Sequence, residues 1–251
     1  MTEMWLYALV FVLGLVLGSF YNVVGLRLPQ GESVIWPPSR CARCRHRLKA
    51  LDLVPLLSWL LLRGQCRYCG HKISDAYPLM ELLTALLFTF AAFKAGWSGE
   101  LLMAWALISL LVIITVSDLA YMIIPDKVLL FFALLFILLY LVFPPSSWWE
   151  PLAGSALGFA MLLAVALASK GGMGGGDIKL FAVLGLVLGW KHVLVAFLLS
   201  TLAGAVGGGV GLLLGKYRKG TPIAFGPYIA IGAIIAYFYG EDIIDWYIAW
   251  L

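Results

Sequence analysis

The chain has 251 residues, of which 63% are hydrophobic and only 12% are charged. Apolar runs of about 18 or more residues recur along its whole length, and about 20 apolar residues span the hydrocarbon core of a bilayer. This composition excludes an ordinary water-soluble domain and predicts an all-α protein that crosses the membrane several times. The formal net charge of +4 at pH 7 is too small to indicate a nucleic-acid partner.

The apolar runs predict about eight transmembrane helices, each bounded by charge, proline, glycine or tryptophan. They cover residues 4–26, 77–93, 101–117, 128–143, 152–169, 178–190, 193–214 and 222–239. The first run is unlike a cleaved signal peptide, because Glu3 stands where basic residues are expected and the run is too long. The sixth run gives only about 20 Å of helix, so we expect it to begin below the membrane surface, beside protein or a wet cavity.

The basic residues predict how these spans are oriented. If the N-terminus faces out, the cytoplasmic loops hold all 17 Lys and Arg residues except Lys94 and Lys191. Such an asymmetry sets the topology of inner-membrane proteins. Tryptophans collect at the opposite boundary, where amphipathic rings prefer to lie. We therefore expect both termini outside.

The domain organisation has three parts. Residues 1–26 form the first transmembrane helix, residues 27–76 a cytoplasmic module, and residues 77–251 the remaining transmembrane domain. The module is strongly basic, with nine Lys and Arg residues against Glu32, Asp52 and Asp75. Its charge predicts that it is held inside, next to anionic lipid.

All four cysteines fall in this module as two Cys-x2-Cys pairs separated by 21 residues, namely Cys41 with Cys44 and Cys66 with Cys69. This spacing is typical of one tetrahedral zinc held by four thiolates. Two disulfides are the alternative, but disulfides rarely persist in the reducing cytosol. His46 and His71 are possible substitute ligands, although four cysteines already complete the set. Such a zinc has no open position and is structural.

Four acids lie at or near the predicted inner boundary: Glu81, Asp118, Asp126 and Asp177. An acid at membrane depth is costly and therefore a candidate functional residue. Asp126 follows a proline and precedes an apolar run, which predicts that it is the N-cap of the fourth helix. The role of Glu81 is open between structure and function.

Asp118 and Asp177 lie at opposite kinds of helix end. Asp118 ends the third span, where the helix dipole disfavours a negative charge, whereas Asp177 begins a helix, where an anion is favoured. Two such carboxylates meet the requirement for an aspartic protease dyad, in which one takes a proton from water and the other polarises the scissile carbonyl. The dipoles predict that Asp177 is the ionised base and Asp118 the acid.

A run of glycines precedes Asp177 and includes Gly174 and Gly176. Without side chains, these residues let a substrate backbone approach closely. A phosphate-binding loop is disfavoured, because such a loop continues with Lys-Ser or Lys-Thr whereas Asp177 follows here. A second glycine cluster, around Gly207, lies within a span and predicts close helix packing.

Several motifs together resemble those of bacterial type IV prepilin peptidases, which belong to the Gly-x-Gly-Asp class of aspartic proteases. The resemblance covers nearly the whole chain. Its motifs are residues 18–29, the two cysteine pairs, residues 77–84, Asp118 with residues 124–126, residues 174–179 and residues 223–227.

This resemblance implies a membrane endopeptidase whose catalytic aspartates are Asp118 and Asp177. It implies a bacterial inner-membrane location and prepilins or pseudoprepilins as substrates, cut on the cytoplasmic side after a glycine that ends a short basic leader. It also implies that the new N-terminus is methylated with S-adenosylmethionine, although the residues themselves predict no site for this methyl donor.

Three alternatives remain at this stage. One is a peptidase without methyltransferase activity. Another is a transporter whose buried acids carry protons or metal ions, which predicts acids along a path through the membrane and not near one face. The last is a non-catalytic assembly factor that binds pilin helices through the cysteine module.

Overall fold

The computed structural model describes residues 2–169, 173–215 and 223–250. Within these ranges the chain is helical and has no β-strand beyond two isolated β-bridges in the cysteine module. The all-α prediction is confirmed. The parts of the predictions that fall on Lys170, Gly171 and Gly172, or on residues 216–222, lie outside the described residues.

Eight α-helices follow one another along the described chain. They are α1 (Thr2–Arg27), α2 (Leu57–Leu61), α3 (Ala76–Ala95), α4 (Gly99–Tyr121), α5 (Asp126–Val142), α6 (Trp149–Ala168), α7 (Gly175–Leu213) and α8 (Gly226–Ile248). All except α2 and α5 are long and apolar enough to cross a membrane, which makes six candidate spans among the described residues. The multi-pass prediction is confirmed, whereas the exact number of eight spans is not.

The sixth and seventh predicted spans form one continuous element, α7, that folds back on itself. Its backbone leaves the helical conformation at Gly189, where φ is 69° and ψ is 178°. The rings of Phe181 and Phe197 lie 6.2 Å apart, whereas the same two residues in a straight helix would be separated by about 24 Å. The two halves of α7 are therefore antiparallel, and the positive φ at the turn requires a glycine.

The chain divides into two compact units, Met1–Leu101 and Leu102–Leu251. In the first unit, α1 packs against α3 through small residues. A Cβ on Gly14 would lie 2.5 Å from Cα of Ala85, and one on Gly18 would lie 2.8 Å from Cα of Glu81. The absence of a side chain lets the two helix backbones come close, which is the usual way in which membrane helices gain packing contacts.

The cysteine module, also in the first unit, contains two similar turns. Arg40 forms a β-bridge with Arg47, and Gln65 forms one with Lys72. In each turn the residue directly after the second cysteine has a positive φ, at 56° for Arg45 and 68° for Gly70. The backbone thus repeats after 25 positions, which places both cysteine pairs in equivalent turns.

In the second unit, α7 packs against both α6 and α8. Gly154 of α6 meets Gly185 and Gly189 of α7, and Gly207 of α7 meets the ring of Tyr228 in α8. The packing role that the sequence predicts for the second glycine cluster agrees with this last contact. Helix α4 is buried along most of its length, and its C-terminal part carries the buried polar residues Thr115, Ser117 and Asp118.

Candidate active site and metal centre

Asp118 lies in the last turn of α4, and only 6% of its surface is exposed. Its Oδ2 accepts a hydrogen bond of 2.6 Å from the backbone N–H of Gly226, the first residue of α8. The end of α4 is held next to the following loop, because the Ser117 hydroxyl donates a hydrogen bond to the carbonyl of Ile123. The Asp118 carboxylate therefore lies at the C-terminus of α4 and at the N-terminus of α8.

Asp177 lies in the first turn of α7, three residues after the N-cap Gly174. Its backbone N–H donates to the Gly174 carbonyl at 3.2 Å. The Asp177 side chain lies over Gly174, where an added Cβ would be 3.3 Å from Oδ2. Asp118 and Asp177 interact electrostatically, so the structure brings together the two acids that the sequence selects.

Gly176 lies directly against the loop that joins α4 to α5. A Cβ added at Gly176 would be 2.8 Å from Cβ of Ile124, so this glycine lets the start of α7 approach the loop that follows Asp118. Gly174, in contrast, is exposed. Of the two glycines predicted to admit a substrate backbone, Gly174 is accessible, whereas Ile124 packs against Gly176.

Asp126 has a different role from the predicted one. The N-cap of α5 is Pro125, and Asp126 is the first helical residue, so the prediction that Asp126 caps this helix is wrong. The Asp126 carboxylate instead forms an ion pair with Lys179 of α7, with an N···O distance of 2.7 Å. The sequence holds no local signal for this pair, because its partners are 53 positions apart.

The four cysteines form one cluster in which all the sulfur atoms lie within 4.8 Å of one another. The thiols are free, and the Sγ atoms of Cys41 and Cys69, from different turns, are 3.7 Å apart. The pairing of the two turns therefore creates a set of four sulfur donors, as the spacing predicts. The imidazole of His46 packs against the ring of Tyr68 in a tilted arrangement, with centroids 3.7 Å apart.

The environment of the cluster suits a divalent metal. Backbone hydrogen bonds, that from Cys44 above all, lower the pKa of the Cys41 thiol to about 6, and thiolates are the form that binds zinc. Four sulfur atoms are a donor set typical of a structural zinc site. The chemistry and the distances of these residues fit the predicted ion.

Glu81 lies in α3 and is only 7% exposed. Its Oε2 accepts a hydrogen bond of 2.8 Å from the backbone N–H of Leu56. The Glu81 carboxylate also accepts a hydrogen bond from the hydroxyl of Ser19 in α1. Leu56 has a positive φ of 60°, an uncommon conformation for a branched side chain. Glu81 thus holds the segment before α2 against the α1–α3 pair, a contact that the sequence analysis did not predict.

Together these features define an all-helical, multi-pass membrane protein with two interacting carboxylates, of which Asp118 is buried, and a four-cysteine cluster. Comparison with known proteins assigns the family. Residues 12–95 match the model of the bacterial peptidase A24 N-terminal domain, and residues 105–209 match that of the type IV leader peptidase family. No solved structure matches the chain.

Curated relatives match almost the full length of the chain, and those that follow are called prepilin leader peptidase/N-methyltransferase. The one from Bacillus subtilis is 46% identical and covers 96% of this chain and 97% of its own. Those from Aeromonas salmonicida and Pseudomonas aeruginosa are 40% and 34% identical, and cover 98% and 94% of this chain and 95% and 91% of their own. The chain therefore belongs to the type IV leader peptidase family and is a multi-pass peptidase of the bacterial inner membrane.

Proposed function

We propose that this peptidase removes the short basic leader of type IV prepilins or pseudoprepilins after a glycine, using Asp118 and Asp177, and then methylates the new N-terminus. The observation that supports the proposal is the electrostatic interaction between these two carboxylates, which come from segments far apart in the chain. A single buried acid has no partner for acid–base chemistry, whereas two that interact can hold one proton between them.

The paired aspartates perform complementary proton transfers. One carboxylate removes a proton from the attacking water, and the protonated partner donates to the oxygen of the scissile carbonyl. The burial of Asp118 keeps bulk water away from this exchange and strengthens the electrostatic interactions within it. The exposed Gly174 leaves room for the backbone of the substrate beside Asp177.

The active site and the cysteine module face the cytoplasm in this proposal, and both termini lie outside. The distribution of Lys and Arg supports this orientation. Asp118 at the end of α4 and Asp177 at the start of α7 then lie at the same, cytoplasmic boundary. A basic leader is attracted to acids at that boundary, so the charge of the substrate and that of the site are complementary.

A zinc ion bound by Cys41, Cys44, Cys66 and Cys69 would hold the two turns of the module together. Because four thiolates would leave no coordination position open for water, the ion would contribute folding energy and no catalytic water. The module would therefore contribute a rigid cytoplasmic surface, while the peptide bond is cut at the aspartates.

Methylation is supported by the names of the relatives, which include N-methyltransferase. S-adenosylmethionine would be the co-substrate, and its sulfonium would pass a methyl group to the free amine that cleavage creates. This order follows from the chemistry, because the amine does not exist until the peptide bond has been hydrolysed.

The test is incubation of the purified protein, in detergent or nanodiscs, with a prepilin and S-adenosylmethionine, followed by intact-mass measurement. We expect loss of the leader mass and then the gain of one methyl group. The variants Asp118→Asn and Asp177→Asn should abolish the first change, while Asp75→Asn, which alters an exposed acid of the module, should not. A prepilin left intact by the wild-type protein would contradict the proposal, and cleavage without methylation would restrict it to a single-function peptidase.

A further inference from the structure

The first turn of α8 has a single backbone donor directed at the active site. Gly226 begins the helix and Pro227 has no N–H. The N–H groups of Tyr228 and Ile229 both donate to the carbonyl of Phe225, at 3.0 and 3.1 Å. The N–H of Gly226 is left for a partner outside its own helix, and that partner is Oδ2 of Asp118.

The contact requires a glycine for reasons of space. A Cβ on Gly226 would lie 2.9 Å from Oδ2, 3.0 Å from Cβ and 3.2 Å from Cγ of Asp118. These distances are shorter than ordinary van der Waals contacts, and Gly226 itself is buried. Any larger residue would push Asp118 away from the end of α8.

The electrostatics of this contact differ from those at the end of α4 alone. The C-terminus of α4 disfavours a negative charge. The N-terminus of α8, in contrast, carries partial positive charge, and the Gly226 N–H, which has no partner within α8, points at the carboxylate. A distance as short as 2.6 Å favours an ionised acceptor, because hydrogen bonds to charged groups are the shorter ones. Asp177 also accepts a hydrogen bond from a backbone amide, but this donor, Gly174, belongs to its own helix, whereas the donor to Asp118 comes from a different helix.

We propose that the backbone amide of Gly226 holds Asp118 as the ionised carboxylate of the resting site, so that Asp118 is the base and Asp177 carries the shared proton. This assignment rests on the proposed function and reverses the roles that the dipoles of α4 and α7 alone predict. Gly226 acts through Asp118 and is therefore a positioning residue.

With this assignment, every proton that moves during the reaction is accounted for. Water attacks the carbonyl carbon, its proton passes to Asp118, and the proton of Asp177 passes to the carbonyl oxygen, which gives a gem-diol. The C–N bond then breaks as Asp118 returns its proton to the leaving nitrogen and a gem-diol hydroxyl returns one to Asp177. The products are a carboxylic acid and an amine, and both aspartates are restored to their starting states.

The first test is infrared difference spectroscopy of the resting protein without substrate. Subtracting Asp177→Asn from wild type should reveal the C=O stretch of a protonated carboxylic acid, and subtracting Asp118→Asn should reveal the stretches of an ionised carboxylate. The opposite pattern would overturn the assignment. This readout needs no turnover, so it is independent of whether prepilin is the substrate.

The second test removes the Gly226 N–H without adding atoms, by replacing Gly226 with glycolic acid so that an ester replaces the amide. Loss of a hydrogen bond to a charged group should lower kcat for prepilin cleavage by about tenfold or more, with little change in KM. In the infrared spectra, the carboxylic-acid stretch should then arise at least in part from Asp118 and no longer from Asp177 alone. The matched control replaces Ile229 by its hydroxy acid, which removes a donor from the same turn that bonds Phe225 and not Asp118.

The outcomes separate the two proposals. Loss of activity at Gly226 with nearly full activity at Ile229 supports the positioning role. Equal loss in both esters means that the turn is only structural and overturns it, as does full activity of the Gly226 ester. If wild type fails to cleave prepilin, the proposed function fails, while the infrared assignment is still decided. Gly226→Ala serves as a further check, since it retains the N–H but displaces Asp118, and it should also lower kcat.

Discussion

The ammonium of Lys179 donates two hydrogen bonds to the carboxylate of Asp126, at 2.9 and 2.7 Å. Lys179 follows Asp177 by two residues in α7, and Asp126 begins the helix that follows the Asp118 loop. The pair therefore joins the two segments that carry the candidate catalytic acids. Its side chains are 55% and 66% exposed, so water and salt weaken the attraction.

Reversing the charge of Lys179 should lower the kcat/KM for prepilin cleavage modestly. Because exposed ion pairs contribute only about 0.2–1 kcal/mol, we expect Lys179→Asp to reduce it by no more than about fivefold, and less at high salt. Adding Asp126→Lys should restore part of the loss, whereas Lys127→Asp, with the same charge change next to the pair, should have little effect. A double reversal no better than the single one would contradict the role of the pair.

The three glycines before Asp177 should differ in their tolerance of alanine. Gly176→Ala should lower kcat by about tenfold to a hundredfold, because its Cβ meets Ile124 and displaces the start of α7 relative to Asp118. An added Cβ at Gly175 has no neighbour within 4 Å, so Gly175→Ala is the matched control and should retain activity. Gly174→Ala, whose Cβ contacts Asp177 at 3.3 Å, should fall between them. Equal activities in all three variants would refute this steric ranking.

The cysteine cluster should bind one zinc ion per chain. Elemental analysis of the purified protein checks the stoichiometry, and Cys44→Ser or Cys69→Ser should lose the metal. Alkylation distinguishes the site from a pair of disulfides. Thiols bound to zinc become reactive when a chelator is added without reductant, whereas disulfides require a reductant. Full alkylation before any chelator is added would exclude both a bound zinc ion and disulfides. Zinc retention in the serine variants would exclude this ligand set.

Glu81 should matter for stability through its acceptor oxygen. In Glu81→Ala the partly buried N–H of Leu56 loses its partner, at a cost of up to about 1–3 kcal/mol, which should lower the melting temperature in detergent. Glu81→Gln retains a carbonyl oxygen and should melt close to wild type. A melting temperature of Glu81→Ala equal to that of wild type would contradict the structural interpretation, and loss of cleavage or methylation in a stable Glu81→Gln protein would show that the carboxylate has a functional role as well.

Asp52 should contribute a stability that depends on pH. Burial opposes its ionisation, but hydrogen bonds from Arg67, the Lys49 amide and Tyr68 outweigh burial and hold the pKa of this carboxyl below its ordinary value of 3.8. A lowered pKa means that the contribution is present above the ordinary value and is lost as pH falls through the folded-state value. Asp52→Asn should therefore lower the melting temperature at neutral pH but not in strong acid.

The control for Asp52 is Asp75→Asn. Asp75 also forms an ion pair in the module, with Lys72, but its side chain is 66% exposed, whereas that of Asp52 is 4% exposed. Exposed pairs contribute little, so Asp75→Asn should leave the melting temperature unchanged at both pH values. A loss at Asp75 as large as that at Asp52 would show that burial is not the cause.

The sequence by itself determined the class of the protein and the residues that could carry chemistry. Long apolar runs have only one stable backbone solution in lipid, the helix, so composition was sufficient for the fold class. Cys-x2-Cys spacing is a local constraint, which explains why Cys41, Cys44, Cys66 and Cys69 could be grouped from their spacing alone. Asp118 and Asp177 stood out because an acid next to an apolar span is costly.

Only the tertiary structure decided which groups surround these residues. The α7 turn at Gly189 depends on packing of its two halves, and the Asp126–Lys179 pair on helices that meet across 53 positions. The contact between Asp118 and Gly226 spans 108 positions. Helix dipoles can be assigned from sequence to a residue's own helix, but the charge that a carboxylate experiences is a sum over every neighbouring element. The N-terminus of α8 enters that sum through folding alone, and it changes which aspartate we assign as the base.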